Sequence, residues 1–339
     1  MTHRIDVLSV GDIVSDAFIR LLPAEAEIDK DPQDRHPLLC MTYGSKVPFE
    51  YAVTVHGVGN SPNAAVSFAR LGLKSSLYSN MGHDDIGQKM LEALKQNKVQ
   101  TQYIDVHKGK VSNFHYVLWY DSDRTILIKH ETYDYSWPHI PEEDTPKWIY
   151  LSSLGEAGWG LHAKIAEYLE QHPDVKLAFQ PGTFQMRKGF GELKGLMRHT
   201  ELFVVNKEEA QMMTGKKTDN IAELARDIHD EGARIVAITD GPNGSYASDG
   251  SVVWQMRNYP DPKPPFERTG AGDAYTSTFV AGLIYSGGDI KTAMQWGPIN
   301  SMSVVQEVGA QAGLLSKSKL ETFLKDAPKD YEPKEYAGA

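Results

Sequence analysis

The sequence has little of three things that mark other classes of protein. Its 339 residues include a single cysteine, Cys40, which excludes an internal disulfide and fits a reducing compartment. No apolar run approaches the ~20 residues that a membrane helix needs, and the first residues lead directly into a strand-like segment, so we expect neither a membrane span nor a signal peptide. The formal net charge of −10 argues against non-specific binding to nucleic acid. We therefore expect a cytoplasmic globular protein that binds neither membrane nor nucleic acid.

Several catalytic motifs are missing as well. The chain has no Gly-x-x-x-x-Gly-Lys-Ser/Thr sequence, which leaves a P-loop kinase unsupported. It has no His-Glu-x-x-His and no Gly-x-Ser-x-Gly, so a metalloprotease and an α/β-hydrolase are without a motif. The 12 histidines are scattered along the chain, and the sequence therefore indicates no cluster of metal ligands.

What the sequence does contain is a regular alternation of strand and helix patterns. Short apolar runs typical of buried parallel strands are separated by helical patterns, for example 162–169 and 221–228. The predicted strands are 5–11, 148–151, 175–179, 202–205 and 235–238. This βαβ organisation predicts an α/β protein with a parallel sheet covered by helices on both faces.

A glycine-rich segment late in the chain, residues 268–275, carries the clearest chemical signal. Gly270, Ala271 and Gly272 are followed at once by Asp273 and then by an apolar run, which predicts a tight turn leading into a helix. The N–H groups at a helix start attract anions, and glycine lets an anion approach closely. Asp273 would then be placed to take a proton from a hydroxyl that attacks a bound phosphate. The alternative is a glycine turn in which Asp273 only stabilises the first turn of the helix.

These four residues resemble the C-terminal signature of the ribokinase family of sugar and nucleoside kinases, also called the phosphofructokinase B family. The usual pattern is Asp-Thr-x-Gly-Ala-Gly-Asp, and this chain has Glu267 and Arg268 in place of Asp-Thr. The resemblance implies a three-layer α/β/α core with a mostly parallel sheet, and a small β-sheet lid. It also implies that Asp273 is the general base and that the N–H groups of Gly270, Ala271 and Gly272 stabilise the transferring phosphoryl group.

Two earlier motifs follow the family order. Asp16 comes just after the first predicted strand, where ligands of open α/β sheets gather, although it could equally be a solvated loop residue. Gly59 and Asn63 match the second glycine and the asparagine of the family pattern Gly-Gly-x-x-x-Asn. The resemblance implies that these three residues bind the substrate. Ser61 is predicted to cap the helix that continues over 63–71.

Two later motifs match the nucleotide side of the family site. Asn206 and Glu209 fit its Asn-x-x-Glu pattern, which implies that Glu209 holds Mg²⁺ through water and that Asn206 lies beside the nucleotide. Thr239, Gly241 and Gly244 fit its nucleotide-side loop and are candidates to contact ATP. A helix-capping box explains the first motif equally well, and a hairpin turn explains the second. The resemblance leaves open whether K⁺ is required and whether ADP replaces ATP.

The resemblance divides the chain into a core, a lid and a tail. The core is expected at 1–19, 56–110 and 132–326, and the lid at 20–55 and 111–131. Residues 327–339 are rich in Lys, Glu, Pro and Gly and are expected to be a loosely held tail.

The leading hypothesis is a carbohydrate kinase that transfers phosphate from ATP, with Mg²⁺, to a sugar hydroxyl. Lid-to-lid homodimers of relatives imply a homodimer through the lid. A nucleoside kinase is the alternative, in which lid aromatics stack on a base; these are Phe114, Tyr116, Trp119 and Tyr120. A catalytically silent metabolite sensor is the third, since Glu267 and Arg268 depart from the family pattern.

Overall fold

Sixteen strands and nine α-helices form in the part of the chain that the computed structural model describes, residues 5–30, 37–121 and 123–338. The strands are β1 (Val7–Val10), β2 (Val14–Leu21), β3 (Ala26–Asp29), β4 (Leu38–Met41), β5 (Phe49–Val58), β6 (Ser75–Gly82), β7 (Gln100–His107), β8 (Phe114–Tyr120), β9 (Asp123–Leu127), β10 (Trp148–Leu151), β11 (Lys176–Phe179), β12 (Thr200–Asn206), β13 (Ile235–Thr239), β14 (Ser245–Ser248), β15 (Val253–Met256) and β16 (Lys334–Glu335). The helices are α1 (Asn60–Arg70), α2 (Asp85–Gln96), α3 (Leu161–Gln171), α4 (Thr183–Met197), α5 (Lys207–Thr214), α6 (Ile221–Asp230), α7 (Ala271–Ser286), α8 (Ile290–Val304) and α9 (Lys317–Lys325). Within these ranges, no helix is long and apolar enough to cross a membrane.

The large sheet has the strand order β16-β15-β14-β13-β12-β11-β10-β1-β6-β7. Its seven strands from β13 to β7 pair in parallel. The other three strands add antiparallel pairs at one edge. The predicted mostly parallel sheet is therefore confirmed.

Side chains of strand β10 alternate between two hydrophobic cores. Ile149 and Leu151 pack in one core with residues of helices α3 to α6. Trp148 and Tyr150 pack in the other core with residues of α1, α7, α8 and α9. Because successive strand residues point to opposite faces of a sheet, the two cores lie on its two sides. The predicted three-layer α/β/α arrangement is confirmed.

A separate four-stranded sheet has the order β5-β2-β8-β9, and strands β3 and β4 pair antiparallel in a two-stranded sheet of their own. Strand β2 begins at Val14 and β5 ends at Val58, so this small sheet takes in residues that the predicted boundaries give to the core. Trp119 of β8 is fully buried and packs edge-on against Phe266, with ring centroids 5.1 Å apart. The small sheet is thus tied to the segment that leads into helix α7.

The expectation of a loosely held tail is wrong for the described residues up to 338. Tyr331 is buried, and its hydroxyl donates to the carbonyl of Gln295 at 2.8 Å. Its ring packs edge-on against Tyr259. Strand β16 then pairs with β15, which makes it the last strand of the large sheet. The segment is rich in charged residues, so its composition did not indicate that a buried aromatic side chain, Tyr331, would hold it against the core.

Tyr331→Ala is expected to lower the free energy of unfolding by about 3 kcal/mol, because a large buried ring and its hydrogen bond are lost. Tyr43→Ala is the control, since the side chain of Tyr43 is fully exposed. We expect that control to change stability by less than about 0.5 kcal/mol. Urea unfolding followed by circular dichroism measures both variants, and equal unfolding midpoints would show that the tail does not stabilise the fold.

Candidate active site

The predicted glycine turn and helix start are confirmed. Gly270 is the N-cap of helix α7 and has a φ of 80°, in the left-handed region that favours glycine. A Cβ at Gly270 would lie 2.3 Å from the Cβ of Ala310, so the turn also has no room for a side chain. The first N–H groups of a helix have no partners within it, and the positive end of the helix dipole lies there. The start of α7 is therefore suited to an anion.

The carboxylate of Asp273 is buried and is held by three side-chain amides. Asn60 Nδ2 donates to Oδ1 at 2.7 Å, and Asn63 Nδ2 donates to Oδ2 at 2.8 Å. Gln180 Nε2 reaches Oδ1 at 3.3 Å. Burial raises the pKa of Asp273 above its ordinary value, and these hydrogen bonds oppose the rise. The carboxylate is thus bound by side chains from other elements, which goes beyond a first-turn role in α7.

Two further residues hold the amides in place. Gln311 Nε2 donates to Asn63 Oδ1 at 3.0 Å, and the Tyr150 hydroxyl donates to Gln180 Oε1 at 2.6 Å. These bonds fix which end of each amide faces Asp273, because the oxygen of each amide is already accepting. The result is a preorganised carboxylate whose acceptor oxygens keep one orientation.

A cavity of about 330 Å³ lies beside Asp273, and we call it the acceptor cavity. It is formed by loops at the carboxyl ends of the parallel strands, by α1, and by one face of the small sheet. Six residues predicted for the site line it: Asp16, Gly59, Asn63, Glu209, Gly270 and Asp273. Its size falls within the range of small-molecule pockets, which starts at about 300 Å³.

Asp16 is buried in the wall of this cavity, on strand β2 of the small sheet. Its Oδ1 has no hydrogen-bond partner among the described residues, and the ring nitrogen Nδ1 of His115 lies 3.4 Å from it. The solvated-loop alternative is therefore wrong. A buried carboxylate oxygen without a donor is suited to a ligand hydroxyl.

Asn63 and Gly59 lie in the cavity in different roles. Both ends of the Asn63 amide are already used, by Asp273 and by Gln311. Gly59, with a φ of 119°, is the N-cap of α1. Helix α1 therefore starts at Asn60, and the prediction that Ser61 caps it is wrong. Ser61 is fully buried, and its hydroxyl donates to the carbonyl of Val10 on strand β1, so it packs against the sheet.

Asn206 and Glu209 form the predicted capping box of helix α5. Asn206 Oδ1 accepts from Glu209 N at 2.8 Å, and Glu209 Oε2 accepts from Asn206 N at 2.9 Å. Glu209 also lines the acceptor cavity, whereas Asn206 lines neither that cavity nor the grooves described next. Burial raises the pKa of Glu209, and the charges of Glu208 and Asp273 raise it further. A cation near Glu209 and Asp273 would relieve this repulsion.

The described residues contain no group of three or more His, Cys, Asp or Glu side chains that could hold a metal ion. A site that relies on one protein carboxylate fits Mg²⁺, which keeps several waters and takes few protein ligands. Glu209 is the residue of the acceptor cavity that fits this ion, with substrate phosphates supplying further oxygens.

Two adjoining grooves, of about 370 Å³ and 140 Å³, lie on the other side of the glycine turn. Their shared lining is Gly241, Asn258, Ala271, Pro298 and Ser301. Thr239, Gly244 and Gly272 line the smaller groove, so the predicted nucleotide loop does lie there. A Cβ at Gly244 would lie 2.2 Å from the carbonyl oxygen of Met256, so the hairpin also requires this glycine. Gly270 and Asp273 thus face the acceptor cavity, while Ala271 and Gly272 face these grooves.

Sequence reasoning missed Asn60, His115 and Arg124, which line the acceptor cavity together with Gln180. Asn60 precedes Asn63 by three residues, so helical spacing could have placed both amides on one face. Gln180 follows a predicted strand, but its role was not assigned. Arg124 lies among the residues expected to form the lid, and no local signal in the sequence points to a site there.

No Phe, Tyr or Trp is among the described residues that line the acceptor cavity. Trp119 is buried against Phe266, and Tyr116 is half exposed. Phe114 packs on Tyr116 with ring centroids 5.2 Å apart. Phe114, Tyr116 and Trp119 thus form contacts within the small sheet and with Phe266, and none of them lines the cavity in which a base would stack.

The chain belongs to the PfkB family of carbohydrate kinases, whose family model matches residues 40–317. It is therefore a phosphotransferase that acts on an alcohol group.

Individual relatives agree with this family. A 5-dehydro-2-deoxygluconokinase from Bacillus subtilis (strain 168) is 26% identical over 286 residues, which cover 79% of this chain and 86% of that protein. The structure of Arabidopsis thaliana ribokinase complexed with ribose and ATP matches with a TM-score of 0.77 at 18% identity, covering 95% and 99% of the two chains. A structure described as ribokinase II from E. coli, in complex with ATP and Mg²⁺, matches with a TM-score of 0.73 at 14% identity over 95% and 99%. These likenesses confirm the predicted ribokinase-like fold.

Proposed function

We propose that this chain transfers the γ-phosphoryl group of ATP to a hydroxyl of a sugar. One observation carries the proposal: the three-amide site of Asp273 lies at the helix start where the acceptor cavity meets the grooves of the nucleotide loop. A base on one side of an anion-binding turn and a nucleotide groove on the other is the arrangement that in-line phosphoryl transfer needs. The structural relative solved with ATP and Mg²⁺ supports the choice of donor and ion.

The chemistry follows from the residues at the turn. Asp273 accepts the proton of the sugar hydroxyl as that oxygen bonds to the γ-phosphorus and the bond to the leaving ADP oxygen breaks. The N–H groups of Gly270, Ala271 and Gly272 stabilise the charge on the transferring group without reorganising during the reaction. Asp16 binds a sugar hydroxyl through its free oxygen, and Asn63 holds Asp273 in position. Glu209 would hold Mg²⁺, and the bound ion would supply charge neutralisation at the phosphates.

Glu209→Gln is expected to raise the Mg²⁺ concentration that gives half-maximal rate by about 10–100-fold, as is typical when an outer-shell ligand is lost. Glutamine can still complete the capping box, so helix α5 should form. Glu208→Gln is the matched control, because Glu208 is exposed on the same helix. Initial rates over a range of Mg²⁺ concentrations measure the effect, and the same Mg²⁺ dependence in both variants would contradict the role given to Glu209.

A sugar fits the acceptor cavity better than a nucleoside does. A nucleoside kinase would be expected to stack the base on an aromatic ring, and none is among the described lining residues. The lining is instead rich in carboxylates, amides and histidines, which suit a polyol. Asp273 and Glu209 both lie in the site, which argues against a silent sensor.

A phosphorylation panel with ATP and Mg²⁺ tests the proposal. Hexoses, pentoses, sugar acids, sugar phosphates and nucleosides are assayed for ADP release that depends on the acceptor. We expect turnover with at least one sugar or sugar derivative. Turnover only with nucleosides would favour the alternative, and no acceptor-dependent ADP release with any compound would favour the sensor.

Two features implied by the resemblance stay predictions. A homodimer through the small sheet is supported by the exposed apolar side chains of that sheet, among them Phe49, Tyr51, Tyr116 and Leu127. Light scattering over a range of protein concentrations tests it. The K⁺ requirement is tested by comparing rates in NaCl and KCl.

A further inference from the structure

Arg124 extends from strand β9 of the small sheet into the acceptor cavity. Arg124, Ile126 and Ile128 all line the cavity, as expected for alternate residues on one face of a strand. Asp16 and His115, on neighbouring strands of the same sheet, line it as well. The Arg124 side chain is 26% exposed, so most of its surface is removed from solvent. A cation thus faces the space that the acceptor sugar would fill.

The contacts of Arg124 within the protein are long. Its Nη1 lies 3.4 Å from a carboxylate oxygen of the exposed Asp123, and its Nε lies 3.8 Å from Glu267 Oε1. Charge-assisted hydrogen bonds of arginine are typically about 2.7–2.9 Å. No shorter contact of the guanidinium with an acceptor occurs among the described residues. Most of its five N–H donors are therefore free for a ligand.

Glu267 does not depend on Arg124 for hydrogen bonds. Its Oε1 accepts from Thr269 N at 2.7 Å and from the Thr269 hydroxyl, and its Oε2 accepts from Gly309 N at 3.2 Å. Three donors thus satisfy this buried carboxylate. The guanidinium is left beside it at a distance that a water or a ligand oxygen can bridge.

The other carboxylates of the cavity already have partners or assigned roles. Asp12 accepts from the Tyr135 hydroxyl at 2.5 Å and from Gly155 N at 2.7 Å. Asp16 is beside His115, and Asp273 is held by its three amides. His115 Nε2 is buried without a partner among the described residues. An acceptor that satisfies Arg124 and His115 would present an oxyanion to the small sheet.

Building on the proposed function, we infer that the acceptor is an acidic sugar, either a sugar acid or a sugar phosphate, whose oxyanion binds Arg124. The planar guanidinium fork binds carboxylate and phosphate oxygens two at a time, which a neutral hydroxyl cannot match. Arg124 is therefore a specificity-determining residue: it selects the acceptor, while Asp273 activates its hydroxyl. The transferring phosphoryl group has its own donors in the backbone of the glycine turn.

Matched pairs of acceptors test the inference. The pairs are D-gluconate with D-glucose, D-fructose 6-phosphate with D-fructose, and D-ribose 5-phosphate with D-ribose. We expect the wild-type kcat/KM for the acidic member of at least one pair to exceed that of its neutral partner by about 30-fold or more, the effect expected for a desolvated charge pair. The first pair reports on a carboxylate, and the other two report on a phosphate.

Arg124→Met should remove this preference, so the ratio of acidic to neutral kcat/KM falls by about 30-fold or more. Arg124→Lys keeps the charge without the fork and should retain an intermediate ratio. Lys129→Met is the control for loss of one positive charge, since its side chain is exposed just after strand β9 and its ammonium group pairs with Glu131. It should leave the ratio at the wild-type value.

Binding of the preferred acidic sugar without nucleotide, measured by calorimetry, separates this inference from the proposed function. Binding that is lost in Arg124→Met supports the inference even if no phosphorylation occurs, in which case the kinase proposal fails. If the wild type turns over neutral sugars as well as their acidic partners, and Arg124→Met changes neither rate, the inference is overturned and the kinase proposal stays intact. An equal fall in kcat for both members of a pair would place Arg124 at the transferring phosphoryl group and overturn it. Failure of every acidic sugar both to bind and to react also overturns it.

Discussion

Replacing Asp273 with asparagine is expected to lower kcat by about 10²–10⁴-fold, the usual contribution of a positioned general base. The two carboxylate oxygens accept from Asn60, Asn63 and Gln180. Asparagine has nearly the same shape, so the acceptor cavity should persist, but its NH2 group is a donor and loses the hydrogen bonds of the oxygen that it replaces. Acceptor binding should therefore change far less than turnover. A kcat close to that of the wild type would rule out Asp273 as the base.

The pH dependence of the same variant gives a second readout. The base must be ionised, so kcat/KM falls as the pH drops through the pKa of Asp273. Because burial raises that pKa, the acidic limb of the profile should lie at higher pH than for an exposed aspartate. This limb should disappear in Asp273→Asn. Asp85→Asn, which changes an exposed aspartate in the first turn of α2, is the control and should keep both kcat and the limb.

The elements of the core could be predicted because they depend on nearby residues. The apolar runs that form β10, β11 and β13 are visible within a few residues, as is the glycine turn before α7. The capping box of Asn206 and Glu209 is equally local, and it is present. The order of motifs then indicated the family, and with it the place of Asp273 in the site.

The contacts that define the site could not be read from local patterns. Asn60 and Asn63 bind Asp273 across 213 and 210 residues of sequence. Gln180 reaches the same carboxylate across 93 residues. Such pairs depend on how strand ends meet at one edge of the sheet, which the order of elements alone does not give. Asn63 is accordingly expected at the sugar, although its amide nitrogen donates to Asp273.

The register between strands β8 and β9 explains why the sequence did not indicate Arg124 as a site residue. Arg124 follows Asp123 at the start of β9, among the residues expected to form the lid, and this position alone predicts no contact with a ligand. Pairing of Trp119 with Arg124 fixes which residues of β9 share the face of the cavity. A shift of one residue would turn Arg124 away, since side chains alternate along a strand. Charge alone therefore did not indicate its role.

Gly270→Ala is expected to lower kcat by about 100-fold or more, because the N–H donors at the glycine turn would be displaced. The added Cβ would lie 2.3 Å from the Cβ and 2.6 Å from the Cα of Ala310. A backbone atom cannot rotate away as a flexible side chain can, so the turn itself must shift. The variant should also lose stability, since alanine at a φ of 80° costs about 1–2 kcal/mol.

Gly287→Ala separates the steric effect from the backbone effect. Gly287 ends the same helix with a φ of 72°, and a Cβ there would meet no atom within 4 Å. Both variants should therefore lose a similar amount of stability through φ, but only Gly270→Ala should lose turnover. Adding Ala310→Gly to Gly270→Ala would remove the 2.3 Å contact and leave the one to the Cα, so we expect at most partial recovery. Equal kcat values for Gly270→Ala and Gly287→Ala would show that the glycine turn does not position the phosphoryl group. The anion site would then have to lie elsewhere on the nucleotide side of Asp273.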